Sequence, residues 1–146
     1  MITINIPGRE PYRIHHLVLD VNGTIACDGR LIMGVADRLR RLSHQVKIHL
    51  LTADTHGKQE DIDKELGVTA HRIRLKNEAE EKAQYIMQLG AESVAAMGNG
   101  SNDAELLAQA ELGLAVLGPE GASPEALNAA VVIVTNSVGR QSKSEV

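Results

Sequence analysis

Residues 16–24 read His-Leu-Val-Leu-Asp-Val-Asn-Gly-Thr, an apolar run that passes directly into a carboxylate, an amide and a glycine. This pattern predicts a short buried strand followed by a turn. Two similar runs occur downstream, one ending at Leu51 before residues 52–54 and one at Met97 before residues 98–100. Strands that each end in small and polar residues are typical of sheets that carry a site at one edge.

The segments between these runs have helical spacing. Val35, Leu39 and Leu42 share one helical face, and Asn77 followed by Glu80 is a capping signal for a later helix. Short apolar strands that alternate with helices predict an α/β fold. We expect a Rossmann-like three-layer sandwich, with a central parallel sheet and helices on both of its faces.

The length of 146 residues fits a single domain over residues 1–146. Residues 1–6 alternate apolar and polar side chains before Pro7-Gly8, so residues 1–13 are predicted to form an N-terminal strand or hairpin. Residues 139–146 are polar and are expected to form a loose tail.

The composition excludes several classes of partner. Hydrophobic residues make up 43% of the chain and charged residues 23%, as in globular proteins. The net charge of -4, without a basic run, argues against nucleic acid. Residues 129–134, the longest apolar stretch, are too few to cross a bilayer, so no membrane partner is expected. Cys27 is the only cysteine, which favours a reducing compartment, and we expect the cytoplasm.

Chemically distinctive residues follow the predicted strands. Asp20, Thr52 and Asn99 each follow a strand, Asp103 lies just beyond, and Lys82 lies early in the intervening helix. In an open α/β sheet these positions meet beyond the carboxyl ends of the strands. Carboxylates, a hydroxyl, an ammonium and glycine-flanked amides at one edge suit a phosphoryl group bound with a divalent cation.

This order of residues resembles the haloacid dehalogenase superfamily over residues 17–134. Its first motif has Asp, a variable residue, Asp, Gly and Thr, and residues 20–24 match it except at Asn22. Residues 51–54 and 97–115 look like the phosphorylation domain of P-type ATPases. The nearest subgroup is therefore that of small soluble P-type-ATPase-like phosphatases.

The resemblance implies a core without a cap domain, because only residues 25–51 and 53–81 separate the motifs. Capless members of this superfamily often close their sites with a neighbouring subunit, so a homo-oligomer is expected. Asp28-Gly29 predicts a tight hairpin, or flap, beside the first motif. This flap could present Arg30 or Cys27 to a substrate, although an exposed Arg30 and a Cys27 that only packs are the simpler interpretations. No role is predicted for Asp54.

The resemblance also implies roles for individual residues. Asp20 would be the nucleophile that forms an aspartyl phosphate. Lys82 would hold Asp20 ionised, since a nearby cation lowers the pKa of a carboxyl group. The implied catalytic residues are Asp20, Asn22, Thr52 and Lys82. The implied phosphate-binding residues are Gly23, Thr24, Thr52, Ala53, Lys82 and Asn102. The implied Mg²⁺ ligands are Asp20, Asn22, Asn99 and Asp103.

Two amides depart from the superfamily pattern. Asn22 stands where a second Asp acts as general acid and base, a contribution of roughly 10²–10⁴-fold in rate. Asn99 stands where the main metal carboxylate lies, so metal affinity should be lower. The sequence thus predicts an Mg²⁺-dependent phosphatase of small phosphorylated substrates, either slow or restricted to activated phosphates.

Other interpretations remain open at this point. The same pocket would suit a catalytically weakened protein that binds phosphate or a phosphorylated ligand and acts through partners. Taken alone, Lys82 could instead pair with Glu78, four residues earlier, on a solvated helix face.

Overall fold

Parallel strands form the central layer of the computed structural model, which describes residues 1–55 and 57–135. The strands are β1 (Ile2–Ile4), β2 (Tyr12–Ile14), β3 (His16–Asp20), β4 (Ala26–Cys27), β5 (Arg30–Leu31), β6 (Lys47–Thr52), β7 (His71–Arg72), β8 (Val94–Gly98), β9 (Leu112–Val116) and β10 (Val132–Val134). The helices are α1 (Val35–Leu42), α2 (Gln59–Leu66), α3 (Glu78–Leu89), α4 (Ala104–Gln109) and α5 (Pro124–Ala129). The tail predicted at residues 139–146 lies outside the described residues.

Within the described residues the central sheet has six strands in the order β10-β9-β8-β3-β6-β7, and all neighbours run parallel. β3 lies between β6 and β8, with Asp20 beside Leu51 and Leu19 beside Met97. The residues that follow these three strands therefore meet at one edge of the sheet. This is the edge at which the sequence predicted them to lie.

Apolar side chains cover both faces of the sheet. On one face, Leu19 and Leu50 pack with Val35 and Ile62 from the first two helices. On the other face, Val18 and Leu51 pack with residues of α3 and α4, among them Ile86, Leu106 and Leu107. Strands buried on both faces need apolar residues at successive positions, which explains the apolar runs in the sequence. The predicted Rossmann-like three-layer fold is confirmed.

Two hairpins lie outside the central sheet. β1 and β2 pair antiparallel, with Ile2 opposite Ile14. β4 and β5 form the flap between β3 and α1, and its turn places Asp28 at φ 53° and Gly29 at φ 78°. Positive φ at both central residues matches a two-residue turn whose twist suits a hairpin.

Across residues 1–55 and 57–135, no helix is both long enough and apolar enough to span a bilayer.

Candidate functional site

Lys82 is the centre of a buried cluster at the carboxyl edge of the sheet. Its ammonium donates hydrogen bonds to Asp20 Oδ1 at 3.0 Å, Asp103 Oδ1 at 2.8 Å and Asn102 Oδ1 at 3.0 Å. Lys82 is only 2% exposed, so α3 points it towards the sheet edge. The solvated pair with Glu78 that the spacing allowed is therefore not the arrangement that forms.

Glycine allows Asp103 to lie beneath this cluster. A Cβ atom on Gly98 would lie 2.6 Å from Asp103 Cγ, so no other residue fits there without a shift. Asp103 Oδ2 accepts hydrogen bonds from the backbone amides of Asn99 at 3.1 Å and Gly100 at 3.0 Å. Asp103 is fully buried and both of its oxygens are engaged. In this geometry it supports Lys82 and the backbone of residues 99–100, and its role as a metal ligand stays a prediction.

The electrostatics of Asp20 differ from the expectation. Burial raises the pKa of Asp20 well above its usual range, and the charge of Asp103 raises it further. Lys82 lowers that pKa, but by less than burial raises it. Burial also opposes the charge on Lys82, yet the two carboxylates outweigh burial and raise the pKa of Lys82. Lys82 thus acts on Asp20 in the expected direction while the net pKa of Asp20 is raised, and an added cation would favour the ionised carboxylate.

An open pocket of about 220 Å³ lies over the cluster. This volume is below the roughly 300–1,000 Å³ of sites for drug-sized ligands, so the pocket suits a small polar group. Its lining residues are Asp20, Asn22, Ala53, Thr55, Glu78, Lys82, Asn99, Gly100, Asn102 and Glu120. Six of these were predicted from the sequence: Asp20, Asn22, Ala53, Lys82, Asn99 and Asn102.

Four lining residues were not predicted, although the sequence contained a signal for each. Thr55 directly follows the motif segment 51–54, and Gly100 lies within the motif segment 97–115. Glu78 lies one helical turn before Lys82, so it falls on the same helix face. Glu120 lies in the loop after β9, at the sheet edge that the other loops share.

Three residues predicted to contact phosphate are not among the lining residues of this pocket. Thr52 is 1% exposed, and its hydroxyl accepts a hydrogen bond from the Asp54 amide at 2.8 Å. Thr24 is fully buried, and its hydroxyl has no hydrogen-bond partner among the described residues. Gly23 donates its amide to the Ala26 carbonyl at 2.7 Å. Thr52 and Gly23 thus take part in the turns after β6 and β3, and the phosphate contacts of all three residues stay predictions.

Gly23 leaves room for the side chain of Asn99. Gly23 has φ +80°, and a Cβ atom there would lie 2.5 Å from Asn99 Nδ2. Asn99 Nδ2 donates a hydrogen bond to the Gly121 carbonyl at 3.4 Å. The side-chain carbonyl oxygen of Asn99 is therefore the atom that could bind a cation. The first-motif turn and the loop after β8 are therefore in direct contact.

The pocket offers oxygen ligands from Asp20, Asn22 and Asn99. Carboxylate and amide oxygens suit a hard cation such as Mg²⁺. Within residues 1–55 and 57–135, no three acidic, histidine or cysteine side chains gather as a metal site. The donor set therefore fits a divalent cation held by one carboxylate and by amide carbonyls, which is a weaker site than one with two carboxylates.

Asp54, Arg30 and Cys27 are not among the lining residues of this pocket. Asp54 Oδ1 accepts a hydrogen bond from the Gln59 amide at 3.1 Å and thereby supports the start of α2. Arg30 lines a neighbouring groove with Lys58 and Asp61. Cys27 is a partly buried free thiol.

Solved structures share this fold. A hydrolase from Legionella pneumophila, assigned to subfamily III A of the haloacid dehalogenase (HAD) superfamily, aligns with a TM-score of 0.65 and 22% identity, covering 87% of this chain and 76% of that chain. The chain therefore has the fold of haloacid dehalogenase superfamily hydrolases. A second HAD-fold structure is the 3-deoxy-D-manno-octulosonate 8-phosphate phosphatase of Moraxella catarrhalis, in complex with magnesium, phosphate and the sugar acid. It aligns with a TM-score of 0.64 and 19% identity over 84% of this chain and 76% of that chain.

Sequence similarity extends to a metal-transporting ATPase. The cadmium/zinc-transporting ATPase HMA2 of Arabidopsis thaliana is 31% identical over 110 residues, which are 73% of this HAD-fold chain and 12% of that protein. The chain thus spans about an eighth of the length of this relative. No protein-family model matches the sequence.

Proposed function

We propose that this chain is a divalent-metal-dependent phosphatase that acts on a small phosphorylated substrate through an aspartyl phosphate on Asp20. The observation that carries the proposal is the cluster of Asp20, Lys82 and Asp103 beneath an open pocket. In the first step Asp20 attacks phosphorus, the bond to the ester oxygen breaks, and that oxygen leaves with the bonding electron pair. Water then hydrolyses the aspartyl phosphate and releases inorganic phosphate.

Mg²⁺ is the cation we propose for this pocket, held by Asp20, Asn22 and Asn99. When bound, it neutralises negative charge on the phosphoryl group and on Asp20. The oxygen donors of the pocket support this choice, as does the magnesium in the Moraxella catarrhalis phosphatase. Lys82 would orient Asp20 through the hydrogen bond of 3.0 Å and add positive charge beside the phosphoryl group.

Turnover should be slow on substrates whose leaving group needs a proton. Asn22 lines the pocket, and its amide has no titratable proton to give. Acyl phosphates and nitrophenyl phosphate should therefore be better substrates than sugar phosphates. The similarity to HMA2 supports placing the chain in a P-type-ATPase-like subgroup.

The decisive experiment is a phosphatase assay with and without Mg²⁺ on wild type and on Asp20→Asn. We expect Mg²⁺-dependent hydrolysis by wild type and none above background by the variant. Beryllofluoride with Mg²⁺ should also form an adduct in wild type that Asp20→Asn does not form. Hydrolysis that survives in Asp20→Asn would exclude the aspartyl-phosphate mechanism.

A second candidate function is binding of a phosphorylated ligand without turnover. The two amides, Asn22 and Asn99, favour this alternative because both replace carboxylates of the wider superfamily. Calorimetric binding of phosphate or of a phosphorylated ligand by a chain that hydrolyses none of the substrates above would support it.

We also propose that the chain is a single cytoplasmic domain that assembles as a homo-oligomer. Met33, directly after the flap, is 91% exposed, and a neighbouring subunit could cover it. Light scattering at micromolar concentration tests the assembly, and a fully active monomer would refute it. The single cysteine supports a reducing compartment.

A further inference from the structure

Glu78 places a second carboxylate in the pocket of Asp20. It lies on the first turn of α3 and is partly buried. Its Oε2 accepts a hydrogen bond from Asn102 Nδ2. Asn102 Oδ1 in turn accepts a hydrogen bond from Lys82 Nζ at 3.0 Å. Glu78 is thus joined through one amide to the ammonium that binds Asp20.

The pocket needs a group that accepts a proton, and Asn22 cannot be that group. Among the described residues, the acidic side chains that line the pocket are Asp20, Glu78 and Glu120. Asp20 forms the covalent bond, so it cannot at the same time take a proton from water. Glu120 is exposed on a loop, whereas Glu78 is partly buried and oriented by Asn102. Glu78 is therefore the better placed of the two remaining carboxylates.

We propose that Glu78 is the general base for hydrolysis of the aspartyl phosphate, an inference that rests on the proposed phosphatase function. The oxygen of a water molecule forms a bond to phosphorus while the bond from phosphorus to the Asp20 oxygen breaks. Asp20 retains the electron pair and leaves as a carboxylate. The proton of the attacking water passes to the Glu78 carboxylate and then to solvent, and inorganic phosphate is released.

This role separates the two half-reactions. Formation of the aspartyl phosphate depends on Asp20 and the leaving group, and only its breakdown uses Glu78. Removal of a positioned general base slows its step by roughly 10²–10⁴-fold. In Glu78→Gln, nitrophenyl phosphate should therefore still phosphorylate Asp20, while steady-state turnover falls by that factor.

The test measures nitrophenol release with Mg²⁺ by rapid mixing and phosphorylated protein by intact mass. Glu78→Gln should give one burst equivalent of nitrophenol, followed by a slow phase, with phosphorylated protein accumulating. Glu80→Gln is the matched control, because it makes the same charge change two residues later in α3, on an exposed side chain that bonds to Gln84 at 3.4 Å. The control should keep wild-type turnover.

A rescue variant separates catalysis from a structural effect. Asp at position 22 would supply a new base in the same pocket, so Glu78→Gln combined with Asn22→Asp should regain turnover. If Glu78 only orients Asn102 and Lys82, the burst rate will fall together with turnover, and Asn22→Asp will not restore either. That result would overturn the assignment.

The remaining outcomes are also informative. Turnover that is unchanged in Glu78→Gln, or phosphorylated protein that accumulates in Glu120→Gln instead, would overturn the role of Glu78 and leave the phosphatase function standing. A wild-type protein that neither hydrolyses any substrate nor becomes phosphorylated would overturn the phosphatase function and this inference with it.

Discussion

Lys82 Nζ lies 2.8 Å from Asp103 Oδ1, and the two side chains are only 3% and 0% exposed. Asp20 shares the same ammonium at 3.0 Å, so one cation stands between two buried carboxylates. Breaking such a buried pair leaves an uncompensated charge away from water, whereas an exposed pair contributes little. The cluster thus links the stability of the domain to the geometry of its proposed active site.

The first prediction is that Lys82→Met lowers the free energy of unfolding by about 3–5 kcal/mol, because two buried carboxylates lose their shared cation. Lys64→Met is the control, since Lys64 pairs with Glu60 at 3.7 Å while both side chains are more than 70% exposed. That variant should change stability by less than about 1 kcal/mol. Urea unfolding followed by far-ultraviolet circular dichroism suits a chain without tryptophan. Equal effects of the two substitutions would contradict the prediction.

The second prediction concerns the contact between Gly23 and Asn99. Gly23→Ala places a Cβ atom 2.5 Å from Asn99 Nδ2 at φ +80°, whereas Gly8→Ala has φ +82° with nothing within 4 Å. Both substitutions introduce similar backbone strain because the two glycines have nearly the same φ. The difference in stability between the variants therefore measures the steric contact with Asn99. We expect both to lose about 1 kcal/mol or more of stability. Only Gly23→Ala should raise the Mg²⁺ concentration needed for half-maximal activity. If the two variants need the same Mg²⁺ concentration for half-maximal activity, the prediction that the contact with Asn99 affects the metal site is wrong.

The third prediction uses a buried histidine away from the pocket. His16 Nδ1 lies 3.0 Å from His49 Nε2, and His49 Nδ1 lies 2.8 Å from the Tyr85 hydroxyl. Burial, together with the charges of His16 and Lys47, lowers the pKa of His49 from 6.5 to about 4. Between these pH values the unfolded chain binds more protons than the folded chain, so stability falls as the pH decreases from 6.5 towards 4.

The size of this effect can be measured by comparing two variants. Between pH 7 and pH 5, wild type should lose about 1–2 kcal/mol of unfolding free energy that His49→Gln does not lose, since one pKa unit corresponds to about 1.4 kcal/mol. His44→Gln replaces an exposed histidine and should keep the wild-type slope. Urea midpoints measured at both pH values decide the matter, and identical slopes in wild type and His49→Gln would exclude the assignment.

The sequence predicted the sheet edge better than it predicted the contacts at that edge. Apolar runs that end before polar loops placed Asp20, Asn99 and Ala53 correctly, because the carboxyl ends of parallel strands share one edge of a sheet. The contacts of Thr52 and Thr24 were harder to predict, because periodicity does not show whether a hydroxyl at or just after the end of a strand faces the pocket or the turn. In the structure the Thr52 hydroxyl accepts a hydrogen bond from the Asp54 amide, and the buried Thr24 hydroxyl has no partner among the described residues.

Local sequence patterns also could not predict how the charges of Asp20, Lys82 and Asp103 are arranged. The absence of a side chain at Gly98 makes room for Asp103, which accepts a hydrogen bond from Lys82. That contact joins residues 21 positions apart, and the charge of Asp103 adds to the rise that burial causes in the pKa of Asp20. Glu78 was considered only as a solvated partner of Lys82, because four-residue spacing reports a shared helix face but not what that face contacts.

The last prediction concerns the two amides at the pocket. Asn22→Asp would add a titratable group beside Asp20, and it should raise turnover on sugar phosphates more than on nitrophenyl phosphate, because only the former leaving group needs a proton; the gain can reach roughly 10²–10⁴-fold. Asn99→Asp would add negative charge beside the proposed cation and should mainly lower the Mg²⁺ concentration for half-maximal activity. Steady-state assays on both substrates over a range of Mg²⁺ concentrations separate the two effects. If freshly prepared Asn22→Asp is no faster than wild type on any phosphomonoester, proton transfer does not limit turnover, and Asn22 has a role that an acid cannot improve.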